Sequence, residues 1–472
     1  MGTTRRGFVG GCSAAIAAMA GSRIGSLTFG DPGATNQHTL VVIFLRGGWD
    51  ACNVVVPGDG HADRSHYLTA RPNLQVPVTL GEDSNPALAL SGGGGRTIMP
   101  GLGGMSLHRR LGLAYTGNSN YTGNLWDLWQ DGNLAFVPAS GLKDVITRSH
   151  FDAQELIELG TNTLASTSGW LARHLNSATN LPTDAFMTGA AVGSQSPTSL
   201  LGGPSTANFG DIGSFKLDQG YWRWRPAMRT ALRNLLEMEG SPNHISGLDS
   251  LDSVDIIESA TSGGYTPENG ANYYGSLAGS LRSIAQLIKL DLGLQVATVD
   301  FGGWDSHNQQ GDGQGGSFGD RLDQIRHALY NFYLDMDGSQ TSPYSDRTTI
   351  VLVSEFGRRL GENADKGTDH GHGSLIAVLG KSINGGMYGS WPGLAGGQLL
   401  DGADLEVTTD YRRILSELLV KQMCNNNLDA VFPDYGASQY VADGQGLGLV
   451  SGNDFNEIFS DGFDSGNMSA WG

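Results

Sequence analysis

Apolar positions along the chain follow two periods, and together they predict an α/β protein. Short continuous runs of apolar and β-branched residues mark strands covered on both faces. They fall at 40–45 (LVVIFL), 133–139 (NLAFVPA), 295–301 (QVATVDF), 348–353 (TTIVLV) and 374–379. Between them apolar residues recur at helical spacing: Leu277, Leu281, Ile284 and Ile288; Leu322, Ile325, Leu329 and Phe332; Ile414, Leu415, Leu418 and Leu419, with Asp410 as a candidate cap. Further helical patterns begin at His150 and at Gly169, and residues 221–239 set Met228, Leu232, Leu235 and Leu236 on one side. Helix-then-strand alternation of this kind belongs to a mostly parallel sheet flanked by helices. From about 178 to 271 the signals weaken and Ser, Gly and Asn dominate toward its end, which predicts a loop-rich insertion or a cap over the sheet edge.

The strand ends carry the candidate chemistry. After 295–301 comes GGWDSHNQQ, which places Asp305 and His307 on a loop past the carboxyl end of a strand, the edge where open α/β sheets bind ligands. A carboxylate and an imidazole two residues apart can turn toward one hard or borderline cation; the plainer reading is a solvated loop whose aspartate caps a helix. LVVIFL likewise runs into RGGWD, so Asp50 stands in a like position. Ser354-Glu355 follows 348–353 at once, and GTDHGHG sets Asp369, His370 and His372 within four residues between glycines. These nitrogen and oxygen donors, with no thiolate among them, favour zinc or manganese. Thr147 and Ser149 precede a helix start, where free N–H groups suit an anion, although capping is the commoner task of such hydroxyls. Arg46, Arg148 and Arg358 are candidate anion partners.

Composition narrows the partners. The 472 residues include 71 glycines, and 29 Lys and Arg stand against 47 Asp and Glu, a formal charge of −18. Such a surface repels nucleic acid and anionic membranes, and steers no anionic substrate unless a metal inverts the sign locally. Residues 1–20 read as a twin-arginine export signal: Arg5 and Arg6, a short apolar stretch from Phe8 to Ala20, and Ala18-Met19-Ala20 as a cleavage site. The stretch is too short to span a bilayer, so a mature chain without a transmembrane segment is expected in the periplasm or outside the cell. Beyond that signal Cys52 and Cys424 remain, either paired or simply buried. Residues 442–472 form a Gly- and Asp-rich tail.

LVVIFLRGGWDACNVVVP, TRSHFDAQ, GGWDSHNQQ, SEFGRR and GTDHGHG, in that order, resemble the exported bacterial family called domain of unknown function 1501, over roughly residues 38–436. That family is placed in the alkaline-phosphatase-like superfamily, with sulfatases and cofactor-independent phosphoglycerate mutases. The resemblance implies an alkaline-phosphatase-like mixed sheet with one or two divalent metal ions at its carboxyl edge, held by Asp50, Asp305, His307 and His372. Glu355 replaces an aspartate of the usual pattern, while Phe356 stands where a histidine is usual, so Asp369 and His370 would supply the lost ligand. Thr147 or Ser149 would be the nucleophile. The activity implied is metal-dependent hydrolysis of phosphate or sulfate esters on a small-molecule or polymer substrate. The alternative is a non-catalytic metal-binding or assembly protein that retains the fold.

Overall fold

The computed structural model describes residues 38–452, apart from 81–85, 115–118, 180, 182–186, 205, 217–220, 239–241, 312–314 and 339–342. The export signal expected at 1–20 and residues 453–472 of the tail expected at 442–472 lie outside the described residues; the first part of that tail packs on the fold instead, with Leu449 and Val450 buried and the Leu447 and Val450 N–H groups bonded to Glu417.

The strands are β1 (Thr39–Arg46), β2 (Leu134–Gly141), β3 (Gly189–Val192), β4 (Thr206–Phe209), β5 (Val296–Gly302), β6 (Thr348–Val353) and β7 (Ser374–Leu379). They lie in one 10-stranded sheet in the order β2-β7-β6-β1-β5-β3-β4, extended beside β2 by three two-residue strands. β1 is central and pairs in parallel with β5 and β6. β5, β3 and β4 continue in parallel, whereas β7 runs antiparallel between β6 and β2. The fold is thus α/β, with a mixed, mostly parallel sheet, as the apolar runs predict.

The helices that matter here are α1 (His150–Leu159), α2 (Trp170–Ser177), α3 (Arg225–Met238), α4 (Pro242–Thr261), α5 (Ser276–Lys289), α6 (Gly316–Met336) and α7 (Tyr411–Lys421). Val41, Ile43 and Leu45 of β1 pack on one face with Leu281 of α5 and Leu322 of α6. Leu40, Val42 and Phe44 pack on the other with Leu156 of α1, Leu171 of α2 and Ile414 of α7. Helices on both faces leave no polar side for the strands, which is why their sequences read as unbroken apolar runs.

The stretch 178–271 departs from the loop-rich insertion expected there. It adds β3 and β4 to the sheet edge and contains the 20-residue helix α4. The two strands are four residues each, too short and too rich in small side chains to register as periodic. In α4, Leu251, Val254 and Ile257 are buried at helical spacing, but serines and aspartates between them obscured it. α3 also departs: Met228, Leu232 and Leu235 are exposed rather than packed on the core.

The topology brings the chemistry to one edge. β1, β2, β5 and β6 end there, and antiparallel β7 begins there. The first Gly-Gly turn allows close approach of its neighbours. A Cβ on Gly47, whose φ is +120°, would lie 2.5 Å from the backbone nitrogen of Asp305, and one on Gly48 would meet the Phe356 ring at 2.6 Å. The two Gly-Gly-Trp-Asp segments therefore nest, with Trp49 and Trp304 edge to face at 5.9 Å.

Candidate metal centre

Four side chains from different parts of the chain converge at this edge. His150, at the first turn of α1, Asp305, past β5, and His370, ahead of β7, each offer a ligand atom within 4.8 Å of the others. His307 joins them, its Nε2 lying 3.1 Å from Asp305 Oδ1 and 2.8 Å from His370 Nε2. Asp305 Oδ1 is also 3.3 Å from His370 Nε2 and 3.5 Å from His150 Nε2. The cluster is open on one side, with the Asp305 side chain 49% exposed and that of His150 21%. Phe356 forms a wall, its ring 4.8 Å from His150 and 5.1 Å from His370 between centroids.

The hydrogen bonds behind the rings fix their tautomers. His150 Nδ1 lies 2.7 Å from Glu355 Oε1, His307 Nδ1 3.1 Å from Asp369 Oδ1, and His370 Nδ1 2.8 Å from the Arg148 carbonyl. A carbonyl accepts only, and an ionised carboxylate accepts only, so each Nδ1 donates and each neutral ring turns its Nε2 lone pair inward. His150 Nε2 is buried and makes no hydrogen bond. The Nε2 atoms of His150 and His370 and a carboxylate oxygen of Asp305 thus face one point, and His307 Nε2 lies beside Asp305 and His370. Two lone pairs 2.8 Å apart repel unless a proton or a cation lies between them. Outward Nδ1–H bonds to a carboxylate or a carbonyl are the usual support of imidazoles that bind metals. By geometry and donor chemistry the cluster fits a divalent cation.

Charges around the cluster are tuned by named partners. Burial pushes the Asp305 carboxyl up, but the hydrogen bond and charge of Arg358 outweigh it and hold it at about 2. Glu355 is also pushed up by burial, and its bonds from His150 and Gln154 bring it below the usual carboxylate range. Asp369 is lowered, first by its bond from Asn363. The bond to Glu355 raises His150, whereas burial lowers His370.

The other candidates lie elsewhere. Asp50 is fully buried and held by Arg71, with oxygen–nitrogen distances of 2.5 and 2.9 Å, and by Gln310 Nε2 at 2.6 Å. It anchors the loops and does not face the cluster. Glu355 supports His150 and also accepts the Gly47 N–H at 2.8 Å. His372 is buried, which holds its ring at about 4, and no contact among the described residues joins it to the cluster. Ser149 caps α1, accepting from the Asp152 N–H, and the Thr147 hydroxyl accepts from the Ser149 N–H at 3.2 Å. Arg46 is engaged by Glu158 and by Asp300, the latter at 2.9 Å. Arg148 binds Asp401 at 2.9 Å and Asp404 at 2.5 Å. Arg358 is buried, donates to the carbonyls of Gly48, Gly47, Trp304 and Thr368, and reaches Asp305 at 2.5 Å. Cys52 is buried and Cys424 exposed, and both are free thiols. No helix among the described residues is long and apolar enough to cross a membrane.

Sequence reasoning did not assign His150 as a ligand. Its signal was its place in TRSHFDAQ, at the first residue of a helix that follows a strand to this edge. Arg71 and Gln310 carried no local signal, because one neutralises and the other donates a hydrogen bond to a buried aspartate distant in sequence.

Among solved structures the chain is similar to a protein in the alkaline phosphatase superfamily from Vibrio parahaemolyticus, at 11% identity, over 79% of this chain and 70% of that one, with a TM-score of 0.28. It is also similar to Ps i-CgsB, solved in complex with k-i-k-neocarrahexaose, at 10% identity, over 75% of this chain and 68% of that one, with a TM-score of 0.27. No curated protein matches the sequence. The model of the family described as protein of unknown function, DUF1501, matches residues 220–425, which include Asp305, His307 and His370. Over that segment the chain is similar to the DUF1501 family.

Proposed function

We propose that the protein is an exported, metal-dependent hydrolase of phosphate or sulfate esters. The observation that carries this is the convergence of three imidazoles, each locked by an outward Nδ1–H bond, on the Asp305 carboxylate. His150, Asp305, His307 and His370 would hold one zinc or manganese ion; Asp50, Glu355 and His372 are turned to other tasks. A divalent cation there would supply Lewis acidity toward an ester oxygen. Glu355, Asp369 and the Arg148 carbonyl keep the rings in register, and Arg358 steadies Asp305 from behind. Phe356 keeps water from one side of the cluster. Thr147 or Ser149, at the rim of α1, would provide the attacking hydroxyl.

Elemental analysis of protein purified without chelator tests the centre, with one divalent ion per chain expected. Asp305→Ala combined with His307→Ala should abolish it, and unchanged metal content would remove the centre. Aryl phosphates, phosphodiesters and sulfates, assayed with zinc or manganese, then test the reaction. Export is tested by changing Arg5 and Arg6 to lysine, which should leave precursor in the cytoplasm.

One observation favours the second reading, a metal-binding protein without turnover. Arg46, Arg148 and Arg358 are all engaged by carboxylates or carbonyls, so none stands ready to clamp a transferring anion. Failure of a metal-loaded wild type on every ester class would select that reading.

A further inference from the structure

A polar cavity of about 110 Å³ lies between α5, the end of α4 and the turn Ile212–Ser214 that follows β4. β4 stands two strands along the sheet from β5, and no residue of the metal cluster lines the cavity. One water fills ~10–15 Å³ by the same measure, so a small organic molecule fits. α5 contributes Arg282, Ser283 and Gln286. Ser283 is engaged: its hydroxyl accepts from the Ile212 N–H and donates to Asp211 Oδ2, both at 3.3 Å. Asp211, at the exposed mouth, also accepts from the Gly213 N–H at 2.8 Å. Gln286 is 7% exposed, yet its side-chain amide has no hydrogen-bond partner among the described residues. Arg282, half-buried, stacks on the Tyr265 ring at 5.7 Å and gives one N–H to the Tyr265 carbonyl at 3.2 Å. No carboxylate among the described residues pairs with it. Its other donors and the Gln286 amide are thus left without acceptors, a state in which buried polar groups are seldom found.

We infer that this cavity binds a small carboxylate, held by the Arg282 guanidinium and the Gln286 amide. Three features select that class. First, the unpaired groups are N–H donors apart from the Gln286 oxygen, so the ligand is rich in acceptors. Second, the guanidinium carries a charge that no ion pair answers and a planar fork that matches a carboxylate in two parallel bonds, so the ligand is an anion. Third, Asp211 stands at the mouth. Its repulsion doubles from a singly to a doubly charged anion, which favours a carboxylate over sulfate or hydrogen phosphate. The Gln286 oxygen and Asp211 then accept from a donor beside the ligand's carboxyl group, which is an ammonium in an amino acid and a hydroxyl in a hydroxy or sugar acid.

Calorimetric titration of the full chain in chloride at fixed ionic strength tests this, independently of the metal and of ester hydrolysis. Acetate is the minimal probe and should bind with a dissociation constant below about 10 mM. Glycine and glycolate have the same size and differ only in the donor beside the carboxyl group, so the tighter of the two identifies the source of the carboxylate. Arg282→Met should weaken acetate at least ~10-fold, as loss of a charge-assisted bond does. Gln286→Glu sets a carboxylate one helical turn from Arg282, where it takes the ligand's place; it should abolish acetate binding without lowering the melting temperature or the metal content. The inference is overturned if acetate, glycine and glycolate all fail to bind. It is also overturned if sulfate or phosphate binds as tightly as acetate, or if either variant binds acetate like the wild type.

Discussion

Replacing Glu355 with glutamine separates the support of the candidate centre from its ligands. Glu355 is fully buried and touches no point that the Nε2 atoms face; it acts through His150 Nδ1 at 2.7 Å. Its Oε1 also accepts the Gly47 N–H and the Gln154 side chain, both at 2.8 Å, and its Oε2 accepts from Ser354 at 3.0 Å. Glutamine keeps the shape and one acceptor oxygen, but loses the charge that makes the His150 ring basic and fixes its tautomer. Outer partners of this kind typically contribute 10–100-fold to metal affinity, equivalent to ~1.4–2.8 kcal/mol. The fall should reach the upper half of that range, because burial leaves the Glu355–His150 bond unscreened by solvent. Asp369→Asn is the internal comparison. Asp369 supports His307 in the same way, but its side chain is 47% exposed, and its loss should cost less than tenfold. Competition with a chromophoric zinc chelator at neutral pH measures both, and circular dichroism confirms the fold. If Glu355→Gln binds zinc within twofold of the wild type, His150 is not a ligand positioned by Glu355. If Asp369→Asn weakens binding more than Glu355→Gln, burial is not what sets the strength of the support.

Two further outcomes rest on neighbouring observations. Ser149→Ala should lower stability by ~1 kcal/mol through loss of the α1 cap and keep most turnover of any ester the wild type hydrolyses, whereas Thr147→Ala should lose it more than 100-fold; the reverse ranking in a rate assay would exchange their roles. His174 is buried, accepts from Asn425 at Nδ1, has no partner at Nε2, and is held by burial at about 4 against 6.5. Its folded form resists protonation, so it leaves stability unchanged above pH 6.5 and lowers it as pH falls from 6.5 to about 4, by up to ~3 kcal/mol. Urea unfolding of metal-free protein should show that decline reduced, not abolished, in His174→Gln, since burial also holds His38 and His372 at about 4; an unchanged slope would refute it.

The sheet was legible because each central strand is an unbroken apolar run, and burial on both faces demands one. The 348–353 and 374–379 runs became β6 and β7 with those bounds. The last two strands of the sheet were not legible, because GAAV and TANF bury few large side chains; GAAV gains its pairing from β5 and TANF from GAAV. The site was legible as a set of loops but not as a set of partners. Asp305 and His307 came from their place past a strand end and His370 from the density of its motif, while His150 needed the geometry of α1. Asp50 misled for a definable reason. β1 and β5 pair with Arg46 opposite Gly302, so the two Gly-Gly-Trp-Asp segments run one residue out of step. Segments identical in sequence then leave the sheet at different points of the pleat, and their aspartates diverge. Asp305 reaches the open edge, and Asp50 turns into the protein, where Arg71 neutralises it.

The same economy governs the arginines. A buried guanidinium needs acceptors for all its donors, and Arg358 finds them in the carbonyls of the two glycine-rich turns and in Asp305. It thereby joins the β1, β5 and β7 loops into one rigid frame and holds Asp305 ionised without presenting charge to solvent. Arg46 and Arg148 spend theirs on Glu158, Asp300, Asp401 and Asp404. Positive charge toward an anionic ester would then come chiefly from the bound cation. On a surface carrying a formal −18, that would make metal occupancy the condition for substrate attraction as well as for the proposed chemistry. Loss of the ion should therefore weaken binding and turnover together, where a site with a spare arginine would lose turnover first.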